Sequence, residues 1–238
     1  MLRRLLPALA LLLPAAAGGG AASPGRPALW PSATWPPSFF VAFNETVNNG
    51  KGNVTGANGR WYYDFANGRA RQERDDGSLD RFCGSANPAR SPCAHLNPTG
   101  DANRYLVWPQ LASCCLCGAD ADDFGVLRPD WVLAANGTYL GRQGLSTPTW
   151  TGPADAWHVV GLQSNYYYQD PAAVAAPLAI VQGVDDYMFF DAATFAAGPQ
   201  EASLFDRPAE CAGAAKCKGF CSFEDGGARR RRRRLRGD

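Results

Sequence analysis

From Ser38 onward, apolar and polar residues alternate with a period of two in short runs, separated by clusters of Gly, Asn and Asp. That period places alternate side chains on opposite faces of a strand. Arg60 to Phe65 is the clearest run, with Trp61, Tyr63 and Phe65 on one face and Tyr62 and Asp64 on the other. Further strands are predicted at Phe39 to Phe43, Arg104 to Trp108, Trp131 to Ala134, Trp157 to Leu162, Tyr166 to Tyr168, Leu178 to Gln182 and Tyr187 to Phe190. Arg69 to Arg74 alternates differently and reads as a solvent-facing strand. Asn49-Gly50, Asn58-Gly59, Asn67-Gly68 and Asn136-Gly137 are turn signals, because Asn and Gly accept positive φ. No segment holds a long amphipathic helical period; short helices are predicted near Pro171 to Ala176 and Ala192 to Ala197. Strands that follow one another without intervening helices predict a mainly β, mainly antiparallel sheet.

The ends of the chain change this picture. Met1-Leu2-Arg3-Arg4 is a short cationic start, Leu5 to Ala17 is an apolar run, and Gly18 to Ser23 supplies small residues. The apolar run is shorter than the roughly 20 residues of a membrane span, so residues 1–22 read as a removable secretory signal. Residues 23–37 are rich in Pro and read as an extended leader, and 38–210 form the β domain. Cys211, Cys217 and Cys221 sit in a small appendix, 211–225, and a disordered Arg-rich tail follows over 226–238. Without the signal arginines, the seven arginines of the tail and Asp238, the body carries a net charge of about −7. An acidic body argues against nucleic acid as a partner.

A secretory signal sets the redox compartment, so the eight cysteines, Cys83, Cys93, Cys114, Cys115, Cys117, Cys211, Cys217 and Cys221, read as a disulfide framework. Their pairing is open, since eight cysteines allow about 105 connectivities. Adjacent Cys114 and Cys115 on a strand point to opposite faces and call for different partners. Five cysteines lie in the body and three in the appendix, so at least one bridge should join the two if all are oxidised. The competing chemistry is zinc held by Cys93, His95 and the Cys114 to Cys117 cluster, but paired CxxC knuckles are lacking; no metal or cofactor is expected. Asn44-Glu45-Thr46, Asn53-Val54-Thr55 and Asn136-Gly137-Thr138 are glycosylation sequons, with Asn44, Asn53 and Asn136 as acceptors.

Catalytic signatures are sparse. His95 and His158 are the two histidines, and there is no GxSxG elbow, HExxH or phosphate-binding glycine loop. Asp185-Asp186 and Asp120, Asp122 and Asp123 lack EF-hand spacing and read as solvated loop carboxylates. The expectation is therefore a protein that is not an enzyme. Trp61, Tyr63, Phe65, Trp108, Trp131 and Trp157 are the candidate ligand-binding residues: on one face of a sheet they would hold an apolar ligand, and the competing reading is ordinary core packing. Arg229 to Arg236 would suit an anionic glycan or membrane surface, and Arg236-Gly237-Asp238 matches the integrin-binding tripeptide.

The run Tyr63-Asp64-Phe65, Gly68-Arg69-Ala70-Arg71 and Glu73 resembles the early strand pair of ependymin-related proteins. Phe124 to Leu127, Trp150-Thr151-Gly152 and Phe205 to Cys211, with Pro208, resemble later segments of that family. The stretch from Gly161 through Tyr166 to Pro177 is similar to related secreted protist and algal proteins. The resemblance covers about residues 38–211; Cys114 to Cys117, Cys217 and Cys221 have no counterpart in it. It implies a large, curved half-barrel sheet with a deep apolar pocket, similar to bacterial lipoprotein carriers, together with secretion, disulfides, N-glycans and homodimers. The sequence expectation is thus a secreted, disulfide-stapled β protein that binds a hydrophobic small molecule or lipid. The alternative is an extracellular matrix or cell-surface interaction glycoprotein acting through surface contacts and its basic tail.

Overall fold

The computed structural model describes residues 31–48, 54–119, 125–160, 164–172, 176–183 and 185–222, all within one compact unit that begins at Pro31. It is a single curved antiparallel sheet. The chain first lays down β1 (Ser38–Asn48), β2 (Val54–Asp64), β3 (Arg69–Arg74), β4 (Cys93–Asn97), β5 (Asn103–Trp108) and β6 (Ser113–Ala119), each beside the last. It then crosses the sheet to the opposite margin. There β7 (Thr138–Ser146), β8 (Thr151–Val160), β9 (Ser164–Gln169), β10 (Pro177–Gln182) and β11 (Asp186–Phe190) return by the same stepping until β11 pairs with β1. A two-residue β12 (Ala196–Ala197) pairs with the start of β1.

The crossing segment defines an inner face. Tyr63 Oη donates to Leu127 O at 2.8 Å, Trp35 N donates to Pro129 O at 3.0 Å, and Arg104 Nη2 donates to Gly125 O at 2.9 Å. Trp131 to Ala134, predicted as a strand, is instead the short helix α2, whose Val132 is buried against the sheet. With only four residues, the aromatic and β-branched content reflects docking on a core rather than strand pairing. The helix α1 (Arg81–Ala86) starts at Asp80, whose side chain accepts the Cys83 N–H.

Period-two alternation accounts for what the inner face carries. Phe39, Val41 and Phe43 of β1 meet Tyr63, Trp61 and Gly59 of β2 in register. With Trp157, Tyr167, Met188 and Phe190 they form the main core. Residues 31–37 of the Pro-rich leader join this core: Trp35 is buried among Phe39, Trp61, Tyr63 and Tyr167, and its Nε1 donates to Tyr167 Oη at 2.7 Å. Asn58-Gly59, read as a turn, lies inside β2. Gly59 is needed there for close approach, since a Cβ would strike the Phe43 ring and Glu73 O. Asn67-Gly68 and Asn136-Gly137 do mark turns, with positive φ at Gly68 and Asn136. Asn49-Gly50 and part of the predicted helix at 171–176 lie outside the described residues.

All eight cysteines are paired: Cys83–Cys93, Cys114–Cys211, Cys115–Cys217 and Cys117–Cys221. Every appendix cysteine therefore binds β6. Cys115 lies in the row His95, Leu106, Cys115 on the inner face, whereas Cys114 packs with Leu96, Tyr105 and Val107 on the outer face. The C-terminal segment passes around the margin strand between them, and Leu116 exchanges backbone hydrogen bonds with Ala215 and Cys217. An open strand edge, which would otherwise invite pairing with another chain, is thus capped covalently on both faces. The cysteine ligands of the zinc alternative are consumed by these bridges, as is Cys83, which lies beside Asp80 and His95.

Candidate functional site

Following one row across the inner face locates the site. Val41, Trp61, Gln72, His95, Leu106 and Cys115 are successive cross-strand partners from β1 to β6. Apolar side chains at both ends flank a polar stretch on β3 and β4. The neighbouring row runs Phe43, Gly59, Arg74 and Cys93, and Glu45 follows Phe43 in phase on β1. Small or polar residues between two large clusters leave space under the crossing segment. That space is a cavity of about 340 Å³, floored by strands β1 to β5 and β9 to β11 and roofed by Gly125 to Leu127, Trp131 and Phe82. Ligand sites start at volumes of about 300 Å³.

One wall is a buried ionic cluster. Arg74 Nε lies 2.7 Å from Glu45 Oε2, Arg74 Nη2 lies 3.2 Å from Glu45 Oε1, and Arg74 Nε lies 3.2 Å from Asp80 Oδ2. Asp80 Oδ1 accepts the Cys83 N–H at 2.6 Å and meets His95 Nε2 at 3.0 Å. Burial pushes the Asp80 carboxyl up, but Arg74 and His95 outweigh it and hold it below its usual range. Burial is also the main cause that lowers His95, so the imidazole is neutral at pH 7 and donates Nε2–H to Asp80. For Arg74, burial works against the charge, and Asp80 and Glu45 together more than restore it. Arg69 to Arg74 is thus not solvent-facing as predicted. Arg74 is sealed by two carboxylates, and Arg69 is buried on Asp64 at 2.7 Å. An arginine enters a core when its charge is matched.

Asp186 closes the wall from β11. It is buried, 3.3 Å from Arg81 Nε, and burial together with Glu45 pushes its carboxyl up to about 7. The reading of Asp185-Asp186 as solvated carboxylates holds only for Asp185, half exposed and paired with Arg81; Asp186 is the in-phase neighbour and points inward. The lining also holds apolar side chains, Ile180, Met188, Val126 and the rings of Trp61 and Trp131, and Met188 is the cross-strand partner of Glu45. Five buried polar atoms in the lining residues have no hydrogen-bond partner among the described residues: Trp61 Nε1, Arg74 Nη1, Trp131 Nε1, Asn165 Oδ1 and Asp186 Oδ1. Such atoms ordinarily have partners, and each left alone costs about 1–3 kcal/mol.

Of the six predicted ligand-binding residues, only Trp61 and Trp131 line the cavity. Tyr63 and Trp157 are fully packed in the main core and Phe65 covers its edge. Trp108 belongs to a separate cluster with Leu106 and the disulfides of α1 and the C-terminal segment. Most of the aromatic face is therefore filled, by Trp35 and α2, and the open space lies at its polar end. Glu45, Arg74, Asp80 and Asp186 were not candidates. The usable signal was an acidic residue in phase with Phe39, Val41 and Phe43, but Glu45 also sits inside a sequon and so reads as surface. His158 is remote from the cavity, stacked on Tyr166 and bonded to Ser164 Oγ. Among the sequon asparagines, Asn136 is exposed at a turn, Asn44 is half-buried on β1 and bonded to Asn58, and Asn53 lies outside the described residues.

No family model matches the sequence, and no curated protein matches it. Among solved structures, the chain is similar to an uncharacterized conserved protein of Thermus thermophilus, with TM-score 0.45 and 13% identity over 74% of this chain and 88% of that one. A LolA-superfamily protein of Nitrosomonas europaea aligns with TM-score 0.40 and 8% identity over 74% of this chain and 93% of that one. A Vibrio parahaemolyticus domain named for outer membrane lipoprotein sorting aligns with TM-score 0.36 and 9% identity over 70% and 88%. Of these three neighbours, one is named for the LolA superfamily and one for lipoprotein sorting, and none of them singles out the ependymin-related family.

Proposed function

We propose that this chain is a secreted, non-enzymatic binding protein that holds a small amphipathic ligand, a lipid or lipid-like molecule, in the cavity beneath the crossing segment. The observation that carries this reading is the lining itself. Apolar side chains of Val126, Ile180 and Met188 and the rings of Trp61 and Trp131 share the lining with polar Gln72, Asn97, Gln182 and the ionic cluster. A purely apolar ligand would strip water from the polar side chains, and a purely polar one would forgo burial worth about 25 cal/mol per Å². The same side chains fit catalysis poorly. His95 is spent on Asp80, its thiol neighbour Cys83 is in a disulfide, and His158 lies away from the cavity on Ser164 Oγ.

The test is ligand capture by protein purified from a eukaryotic secretory host, read by native mass spectrometry and by titration with medium-chain amphiphiles. One ligand per chain is expected. Ala70→Leu, which narrows the cavity from β3, should weaken capture several-fold while leaving the urea midpoint nearly unchanged. Capture unchanged in Ala70→Leu, or no capture of any amphiphile by the parent protein, overturns the reading.

A further inference from the structure

Two further hollows continue the line of the cavity toward the surface. An outer groove of about 370 Å³ is bordered by Phe65, Asn67, Gly68 and Ala102. Asn97, Gly125 and Val126 border both this groove and the cavity, so the two spaces meet at those three residues. A third hollow, lined by Thr99, Asn103 and Arg207, shares Gly100, Asp101 and Ala102 with the groove.

The series follows the strand direction. Arg74, Gln72 and Ala70 of β3 pair with Cys93, His95 and Asn97 of β4, and these pairs step from the ionic wall toward the turns that hold Gly68 and Gly100. Both glycines have positive φ, 63° and 69°, which suits a residue without a Cβ. No described atom lies within 4 Å of the place where that Cβ would stand. The turns thus leave open space at the end of the strands instead of filling it with side chains.

Polarity changes along the same line. Trp61, Ile180 and Met188 offer apolar surface inside, Phe65 offers it in the groove, and Val126 offers it to both. At the outer end Arg207, half-exposed, pairs with Asp101 at 3.0 Å, and Asn103 Nδ2 donates to Asp101 Oδ1 at 2.6 Å. The charges of the inner end are spent on one another, Arg74 on Glu45 and Asp80, and are withdrawn from water. A polar head gains little by entering first, whereas an alkyl chain buries apolar surface.

We infer that the groove is the outer half of one binding site, and that its ligand is a long, single-chain amphiphile seated tail first, with its head beside Asp101, Asn103 and Arg207. This deepens the proposed ligand-binding role and rests on it. Asn97, at the junction, then faces the polar link between chain and head. The cavity corresponds to roughly eleven water volumes and the groove adds roughly twelve. An eight-carbon chain is short enough for the cavity alone; a sixteen-carbon chain needs the groove as well.

The experiment offers the full, oxidised chain monoacylglycerols of eight, twelve and sixteen carbons, each below its micelle concentration, and reads binding by native mass spectrometry. Affinity is expected to rise at least tenfold from eight to sixteen carbons. Ala102→Trp, at an exposed position bordering both outer hollows, should weaken the sixteen-carbon ester at least fivefold and leave the eight-carbon ester within twofold. A sixteen-carbon chain with biotin at its polar end should carry the protein onto streptavidin, because the head stays within reach of solvent. The inference is overturned, and the cavity reading left standing, by affinity that does not rise with chain length or by an Ala102→Trp effect that is equal for short and long chains or absent from both. Failure of the biotin-tagged chain to retain a protein that binds the untagged one also overturns it. If no monoacylglycerol binds, both fall together.

Discussion

Glu45 of β1 and Arg74 of β3 form a two-point ion pair across the intervening β2, at 2.7 Å and 3.2 Å, with both side chains withdrawn from water. The guanidinium also stands over the Phe43 ring at 5.2 Å, so the pair joins the aromatic core to the cavity wall. Removing the cation leaves Glu45 and Asp80 buried without it. Arg74→Met is expected to cost about 3–5 kcal/mol. Adding Glu45→Gln to that variant should restore part of the loss, because one stranded carboxylate disappears. Urea unfolding of the single and double variants checks the order; a double variant weaker than Arg74→Met contradicts it.

The same wall sets a pH profile. Asp186 is raised from its usual value to about 7, chiefly by burial and then by Glu45, against the opposing pull of Arg81 and Arg74, with Asp80 adding to the rise. A carboxyl raised in the folded state stabilises the fold at pH below its unfolded value near 4, and that contribution is lost as pH rises through 7. His95 is lowered, mainly by burial, with Asp80 opposing and Arg74 and Arg104 adding to the drop. Its contribution is present above about pH 6.5 and is lost as pH falls below it. Asp186→Asn is therefore expected to flatten the decline in stability between about pH 4 and 7 and to gain on the order of 2 kcal/mol at pH 8. His95→Gln should flatten the acid side instead. Thermal unfolding across that range reads both.

How far the sequence reached depends on what each signal can see. Alternation located Phe39 to Phe43, the Trp61 and Tyr63 face and β11, because those strands bury one face and leave the other more open, whereas β5 and β10, each with four consecutive buried residues, showed as short apolar and aromatic runs. Adjacent cysteines with different partners followed from the geometry of a strand and hold for Cys114 and Cys115. β4, buried at every position, and β7, mostly exposed, show no such contrast and escaped it. Trp131 to Ala134 looked like a strand because its composition suits one, and docking on the core made it a helix. The ionic wall was illegible for a different reason. Glu45, Arg74, Asp80 and Asp186 come from four separate segments, and each reads as surface until its partner is beside it. Trp35 hid likewise in a Pro-rich leader whose composition argues for solvent exposure.

The covalent lacing of β6 has a measurable share in stability. Cys115–Cys217 closes a loop of 102 residues, and the chain-entropy view assigns such a crosslink several kcal/mol, with about 2–4 kcal/mol typical in practice. The double replacement Cys115→Ala with Cys217→Ala keeps the other bridges, including Cys114–Cys211 on the opposite face. It should lower the unfolding free energy by about 2–4 kcal/mol and leave the tail of the appendix held by Cys117–Cys221. Phe220 packs on Phe82, which roofs the cavity. Removing Cys117 and Cys221 together should therefore weaken ligand capture more than removing Cys115 and Cys217 does. Equal effects on capture would place the loss in global stability rather than at the roof.

Trp35 tests whether the leader belongs to the fold. Its ring meets Trp61 at 5.2 Å and Tyr63 at 5.7 Å, both edge-on, and its Nε1 donates to Tyr167 Oη at 2.7 Å. Trp35→Ala empties a site enclosed on all sides by aromatic rings that the sheet holds in place, so collapse is restricted and the loss should reach about 3–5 kcal/mol. Trp35→Phe keeps most of the packing and gives up the hydrogen bond. Tyr167 Oη retains Gln169 Oε1 as a partner at 3.2 Å, so this change should cost only about 1–2 kcal/mol. Urea midpoints of the two variants separate the contributions. A near-neutral Trp35→Ala would mean that the inner face is closed by α2 alone, and the cavity boundary toward the aromatic cluster would then be open to larger ligands.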